Sequence, residues 1–352
     1  MALTIRDVAR EAKLSTATVS HVLNKTGQVS RETRRHVLAV VRRLGYVRNA
    51  YAHNLASRNS RTLGMIVSDI ENPFFPEVIK SFETRARQLG YEVILSNTNY
   101  DPALMRRATE KMLEHHVRGV AVMTSEANLQ LIDEIARRHI AVTFLDLGPV
   151  RRYVSNMRID YFSGIQQVVE HLFELGHRQM VFAGERPGLK SNIARHEAFI
   201  KCMKALGLDS GPTLHGDLRF EGGVAAGQAI LKLKPRPTAV VAVNDLTAVG
   251  LIKAFTQSGL RVPEDISVTG FDKIRLADYI TPAITTVDVH RDTLGRMAAE
   301  ALHELSTAEE PQGKEYTIPT ELVVKASSGP ARSQAGSGEE FAQVAAELGL
   351  SA

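Results

Sequence analysis

One cysteine, Cys202, stands in 352 residues, so no internal disulfide can form, which fits a reducing cytosol. Hydrophobic runs are short. None approaches the roughly twenty apolar residues of a membrane span. Arg6, Asp7 and Arg10 interrupt any apolar segment at the start, which argues against a secretory leader and for a cytoplasmic protein. Catalytic signatures are missing too. Gly184 to Ser191 reads GERPGLKS, but Leu189 separates the glycine from Lys190 and the phosphate-loop spacing fails. There is no G-x-S-x-G elbow, no G-x-G-x-x-G after the first apolar run and no metal-like His or Cys cluster. His115 and His116 are adjacent, so on a helix they point apart. Neither catalysis, nor a cofactor, nor a metal is expected.

What is present is uneven in charge. The length allows two or three compact units, and 44% hydrophobic with 23% charged residues is ordinary for a globular protein. Residues 1 to 61 hold twelve Lys or Arg against Asp7, Glu11 and Glu32, a net +9. The whole chain is only +4, so the remainder is −5. A basic head on an acidic body is the footprint of a phosphate-binding module joined to something with another task.

The head reads as helices. Thr4 with Asp7 three residues on is a capping-box-like start, and Ser15 caps a second helix after the tight turn at Lys13-Leu14. Val8, Ala9, Ala12, Leu14, Val19, Val22 and Leu23 give both helices an apolar face, and the two alanines permit close approach. Ser30 opens a third helix, with Val37, Leu38, Val41 and Leu44 on its inner face and Gly45 stopping it. The pattern is a helix-turn-helix, whose second helix typically enters the DNA major groove.

The strings TIRDVAREAKLSTATVSHVLN, VSRETRRHVLAVVRRLGY and NAYAHNLASR resemble the headpiece of the lac/gal repressor family of bacterial transcription regulators. The resemblance implies that Thr16, Ala17 and His21 read bases, and that Thr18, Ser20, Asn24, Thr33 and Tyr46 meet phosphates. Chemistry agrees: Thr16 can hydrogen-bond a base edge, Ala17 can touch a thymine methyl, and His21 can donate to guanine. Residues 49–62 match a hinge helix and linker, too short to be stable alone, with Leu55 as a minor-groove wedge. Relatives commonly carry Pro where Arg48 stands, which predicts a looser and more basic hinge.

Beyond the headpiece (1–48) and hinge, short apolar runs alternate with amphipathic stretches. The runs are 63–67, 92–95, 119–123, 141–145, 180–183, 239–243 and 267–270; helix-like segments include 77–89, 103–115, 129–138, 162–175, 195–206 and 247–258. Unalternating apolar runs separated by helices indicate buried parallel sheets. Six or seven such units exceed one comfortable sheet. The fold class expected is therefore an all-α helix-turn-helix headpiece plus an α/β core of two doubly wound parallel-sheet subdomains, resembling the periplasmic-binding-protein-like core of the same family. The core is placed at 63–328, with one subdomain at about 63–158 and 288–318 and the other at about 159–287 and 319–328. From Ser327 the chain turns small and polar, and 329–352 is expected to be a disordered tail.

Ligands of such cores bind in the crevice at the carboxyl ends of the strands. Asn72, Phe74, Asp146, Ser191, Arg195, Asn244 and Asp272 sit there, and Asn72, Phe74 and Arg195 match effector positions of the family. The family often has an aromatic residue after the Gly-Asp pair, where this chain has Leu218, so Phe220 is expected to supply the stacking face. Carboxylates, amides, one guanidinium and an aromatic wall suit a sugar or sugar derivative. The expectation is a cytoplasmic, nucleoid-associated homodimeric regulator, most simply a repressor, binding a near-palindromic operator under the control of a small effector. A solute-binding protein of the same core, or less readily an enzyme built on it, is the alternative.

Overall fold

Thr4 starts the first helix, α1 (Ile5–Ala12), by donating from its N–H and its hydroxyl to the Asp7 carboxylate, at 2.9 and 2.6 Å. Lys13 takes the left-handed conformation (φ 53°) and turns the chain, and the Ser15 hydroxyl then accepts the Thr18 N–H at 3.1 Å to open α2 (Thr16–Asn24). Ser30 does the same for Thr33 and α3 (Arg31–Leu44), which Gly45 ends at φ 62°. Val8, Ala9, Ala12, Val19, Val22, Val37 and Val40 form one buried cluster. Leu38, expected on the inner face, is 39% exposed, and Val40 takes that place. The helical period explains it: positions 37, 40 and 44 share a face, whereas 38 lies about 100° round from 37.

This computed structural model describes residues 3–24, 26–46, 60–124, 129–146 and 148–332, and the chain divides into two units, residues 1–60 and 61–352. In the second unit β1 (Thr62–Val67), β2 (Glu92–Asn97), β3 (Gly119–Met123), β4 (Ala141–Leu145), β5 (Val154–Ile159) and β11 (Glu315–Ile318) form a six-stranded parallel sheet in the order β11-β5-β4-β3-β1-β2. Helices α4 (Phe74–Gln88) and α11 (Arg291–Thr307) cover one face, and α5 (Pro102–Glu114) and α6 (Leu129–Arg137) the other. Alternation along β1 sorts the side chains. Leu63, Met65 and Val67 pack with α4, while Ile66 packs with Met105 and Met112 of α5. Gly295 lets α11 cross α4 closely, since a Cβ there would lie 2.3 Å from the Val78 carbonyl oxygen.

The second sheet, also parallel, runs β7-β6-β8-β9, from β6 (Met180–Glu185), β7 (Leu214–His215), β8 (Ala239–Ala242) and β9 (Ser267–Thr269). Met180, Phe182, Ala239 and Val241 face α7 (Tyr161–Glu174) and α8 (Lys190–Ala205). Val181, Ala183, Val240 and Ala242 face α9 (Phe220–Ile230) and α10 (Asp245–Gln257). Both sheets are thus covered on both sides, the reason their strands read as apolar runs. The chain passes between the two subdomains three times: after β5, between β10 (Thr286–Asp288) and α11, and between β11 and β12 (Glu321–Val323), with β10 and β12 paired antiparallel. Strands β5, β7, β10, β11 and β12 and helices α9 and α11 add to the elements expected from sequence.

The small polar segment after Ser327 is not loose where it is described. The Ser327 hydroxyl donates to the Val268 carbonyl at 2.5 Å, the Ala331 N–H donates to the Leu175 carbonyl at 2.8 Å, and Arg332 meets Asp265 at 2.9 Å. Backbone partners override composition here, which corrects the expected tail for residues 329–332; residues 333–352 lie outside the described residues.

Candidate functional site

Two arrays of polar side chains stand out, one on each unit. On α2, Val19 and Val22 turn into the core and leave Thr16, Ala17 and His21 exposed on the outer side. The His21 ring is held from below: its Nδ1 lies 3.3 Å from the Thr26 hydroxyl, and Gly27 lies so close that a Cβ would touch Nδ1 at 3.0 Å. When Thr26 donates to Nδ1, Nε2 carries the proton and is the donor a guanine edge requires. Thr18 and Thr33 sit in the first turns of α2 and α3, their hydroxyls 2.8 and 2.9 Å from the capping serines. Those helix starts present N–H groups suited to phosphate. Ser20 is half-buried, and the Tyr46 ring packs against the headpiece core. Leu55 and the side chain of Asn24 lie outside the described residues.

In the second unit a cavity of about 70 Å³ lies between the subdomains, walled by Asn72, Phe74, Ser191, Arg195, Asn244 and Asp272 of the expected set. Arg195 is its keystone. Its guanidinium donates to the Val243 carbonyl at 2.6 Å and to Asp272 Oδ1 at 3.1 Å, and it lies 4.2 Å from the Phe271 ring centroid and 4.9 Å from that of Tyr161. Its Nε has no partner. Most other polar groups also hold the scaffold. Asn72 Oδ1 accepts the Phe74 N–H at 3.0 Å and opens α4. Asn244 Oδ1 accepts the Thr247 N–H at 2.9 Å, and its Nδ2 donates to the Leu218 carbonyl at 3.0 Å.

Two expected residues fall elsewhere. Asp146 does not line the cavity; it accepts the Tyr161 hydroxyl at 2.8 Å and the Ile159 N–H at 3.2 Å, and acts on the cavity through the Tyr161 ring. Burial raises its carboxyl to about 6. Phe220 is the correction. It begins α9, is 37% exposed and lines an outer recess, while Leu218 is the residue in the cavity wall. Leu218 is left-handed (φ 68°), and this backbone twist brings it, two places before Phe220, into the wall.

Sequence reading missed Asn192, Tyr161, Tyr100 and Leu189, which also line the cavity. Asn192 was within reach, because it lies three residues before Arg195 on α8 and so on the same face. Its Nδ2 donates to the Gly184 carbonyl at 3.2 Å, and its Oδ1 has no partner. Asp245, next to Asn244 in the candidate stretch after the sixth apolar run, does not line the cavity. Fully buried beside Asp272, it accepts the Thr286 hydroxyl at 2.5 Å and the Ile274 N–H at 2.7 Å, and burial, then the charge of Asp272, raise its carboxyl to about 8. Asp69 and Arg219 join the subdomains at the mouth, 2.8 Å apart.

Comparison with known proteins decides the family. Residues 4–49 match the model of bacterial regulatory proteins, lacI family, and residues 169–328 that of the periplasmic binding protein-like domain. The HTH-type transcriptional repressor PurR of Photobacterium profundum is 35% identical over 327 residues, 92% of this chain and 98% of the relative. The chain belongs to the lacI family. It is a DNA-binding transcription regulator, and members of this family are regulators and not enzymes. Among solved structures, a lac repressor dimer bound to operator and the anti-inducer ONPF matches with a TM-score of 0.83 at 27% identity, covering 94% of this chain and 100% of that one. A transcriptional regulator CelR–cellobiose complex matches at 0.70 and 26%, covering 92% and 99%. No helix among the described residues is long and apolar enough to cross a membrane.

Proposed function

We propose that this protein is a cytoplasmic, nucleoid-associated homodimeric repressor, each headpiece reading one half of a near-palindromic operator and Leu55 of each hinge wedging its centre. A small, neutral, hydroxyl-rich effector of the sugar kind occupies the cavity and controls the grip on DNA. The observation that carries the effector reading is that two residues of the cavity wall, Arg195 and Asn192, each keep one buried polar atom without a partner, Nε and Oδ1. One is a donor and the other an acceptor, and hydroxyl groups are of the chemistry that meets each. The cellobiose held by the CelR relative is in keeping with such a ligand.

The volume supplies the coupling. At about 70 Å³ the cavity is smaller than the ~150 Å³ that accepts benzene, so a sugar ring enters only as the subdomains part. Binding is therefore linked to the angle between subdomains. The hinge runs directly into β1 of the six-stranded subdomain, so the same angle bears on the spacing of two hinges in a dimer. Whether the ligand tightens or loosens the grip follows from which state it binds better. The test is selection of duplexes from a random library with the full chain, followed by a thermal-shift panel of sugars. A two-fold symmetric site whose affinity falls steeply with salt is expected, with stabilisation by a neutral sugar. A monomer that ignores every duplex at low ionic strength would overturn the regulator reading, and a panel in which only nucleobases stabilise would overturn the sugar.

A further inference from the structure

Outside the cavity lies a recess of about 170 Å³ that shares Asn72, Tyr100 and Leu218 with it. Its walls carry four carboxylates, Asp69, Glu71, Asp217 and Glu221, and among its lining residues one cation, Arg219. That guanidinium is already held between two of them, 2.8 Å from Asp69 and 3.5 Å from Glu71. Arg186 stands nearby with its guanidinium 5.1 Å from the centroid of the Tyr100 ring. Further in, among the described residues, the one Lys or Arg lining the cavity is Arg195, which is 8% exposed and engaged with Asp272. A second groove, sharing Tyr161 and Ser191 with the cavity, carries mixed charge and adds no bias of one sign.

We infer that this mouth is a charge filter, admitting neutral and cationic molecules to the cavity and turning away phosphorylated or carboxylated ones. The inference rests on reading the cavity as the effector site and adds the class of effector it takes. A cleft lined by one sign of charge between low-dielectric walls focuses the field, changing local ion concentration by about tenfold or more. An approaching phosphate meets four carboxylates against two cations: Arg219, already paired with two of them, and Arg186, whose guanidinium lies over the Tyr100 ring. The partnerless Asn192 Oδ1 in the wall is an acceptor, which also disfavours an anion and accepts a hydroxyl hydrogen.

The chain has no tryptophan, so one introduced at the mouth is a clean reporter. Tyr100→Trp keeps an aromatic ring at the junction of recess and cavity, and Leu218→Trp is the second reporter should the first disturb the fold. With acrylamide as the neutral reference, caesium is expected to quench at least about threefold better than iodide at low ionic strength, with the gap closing as salt screens it. Glu71→Gln with Glu221→Gln in the reporter background should raise iodide quenching severalfold. Iodide quenching as well as caesium, no response to the two glutamines, or acrylamide reaching neither reporter would each overturn the filter. A sugar phosphate that stabilises the full chain more than its neutral parent would do so too. Quenching needs neither DNA nor effector, so failure here and failure of the regulator reading are told apart.

Discussion

The headpiece and the cleft solve recognition in opposite ways. Thr16, Ala17 and His21 lie within six positions of one helix, exposed, on a surface built by the valines behind them. The cleft gathers residues from Ser68 to Asp272, and its amides, its guanidinium and its carboxylates mostly hold the subdomains in place. Backbone strain follows the same division. Lys13 is the one non-glycine residue of the described headpiece at positive φ, whereas Tyr100, Asp146, Leu218 and Asp272 all take such angles around the cleft. A large rigid partner can be met by a local surface. A small molecule must be enclosed, so its site is assembled from distant segments at a cost in backbone strain, and its residues serve structure and binding at once.

That difference predicts what substitution does. The largest effect is expected at Arg195→Ala. Asp272 is 4% exposed and would lose its only ion-pair partner among the described residues. Breaking a buried pair from one side costs about 3–5 kcal/mol, which urea denaturation of the second unit would read. Any effector response should vanish as well. Arg195→Ala with Asp272→Asn should recover part of the stability and none of the response. A single variant within about 1 kcal/mol of the parent would show that the pair does not hold the cleft.

The same contrast explains what could be read beforehand. The headpiece was legible because caps, turns and apolar faces are local: Thr4, Ser15, Ser30 and Gly45 each announce a boundary in their own neighbourhood. The central strands were legible as apolar runs. Strand β5 was not, because Ser155, Asn156 and Arg158 break its run, although the first two are buried against neighbouring strands. Helix α9 carries Gly222, Gly223 and Gly227, poor helix formers, and forms because Gly223 and Gly227 let it press against α10, where a Cβ on Gly223 would lie 2.2 Å from the Thr247 carbonyl oxygen. In the cleft, residue types at strand ends marked the right region. They could not say that Phe220 would miss the cavity and Leu218 enter it, since that turns on one backbone angle.

A second, smaller effect concerns pH and again belongs to the cleft alone. Asp245 keeps its proton in the folded state up to about pH 8, whereas the unfolded chain releases it near 3.8. Between those values folding takes up a proton, so this group draws stability down as pH rises and stops doing so above about 8. The buried His177 and the half-buried His171 and His196, whose affinity for protons desolvation lowers, act with the opposite sign below about pH 6.5. Asp272, whose carboxyl burial also raises, acts with the same sign as Asp245, so the window from pH 7 to 8 lies clear of the histidines and reads the buried carboxylates of the cleft. There the melting temperature of the second unit should fall by about 2–4 °C, and Asp245→Asn should flatten that slope. A parent curve already flat from pH 7 to 8 would mean the carboxylate is charged in the fold.

The smallest change in stability and the sharpest in function is expected at His21. The side chain is exposed and its hydrogen bond to Thr26 lies at the surface, so His21→Ala should leave the melting temperature within about 1 °C. Its loss should instead appear on DNA, as about 1–3 kcal/mol of discrimination at one base pair in each half-site. Competition binding with operators altered one position at a time separates this from a phosphate contact. A lost base contact equalises the four bases at that pair and leaves the salt slope alone. A lost phosphate contact would weaken every sequence alike and flatten the slope. An unchanged preference at every position would move recognition to Thr16 and Ala17. A drop in melting temperature comparable to that of Arg195→Ala would erase the division between a site that is displayed and a site that is built.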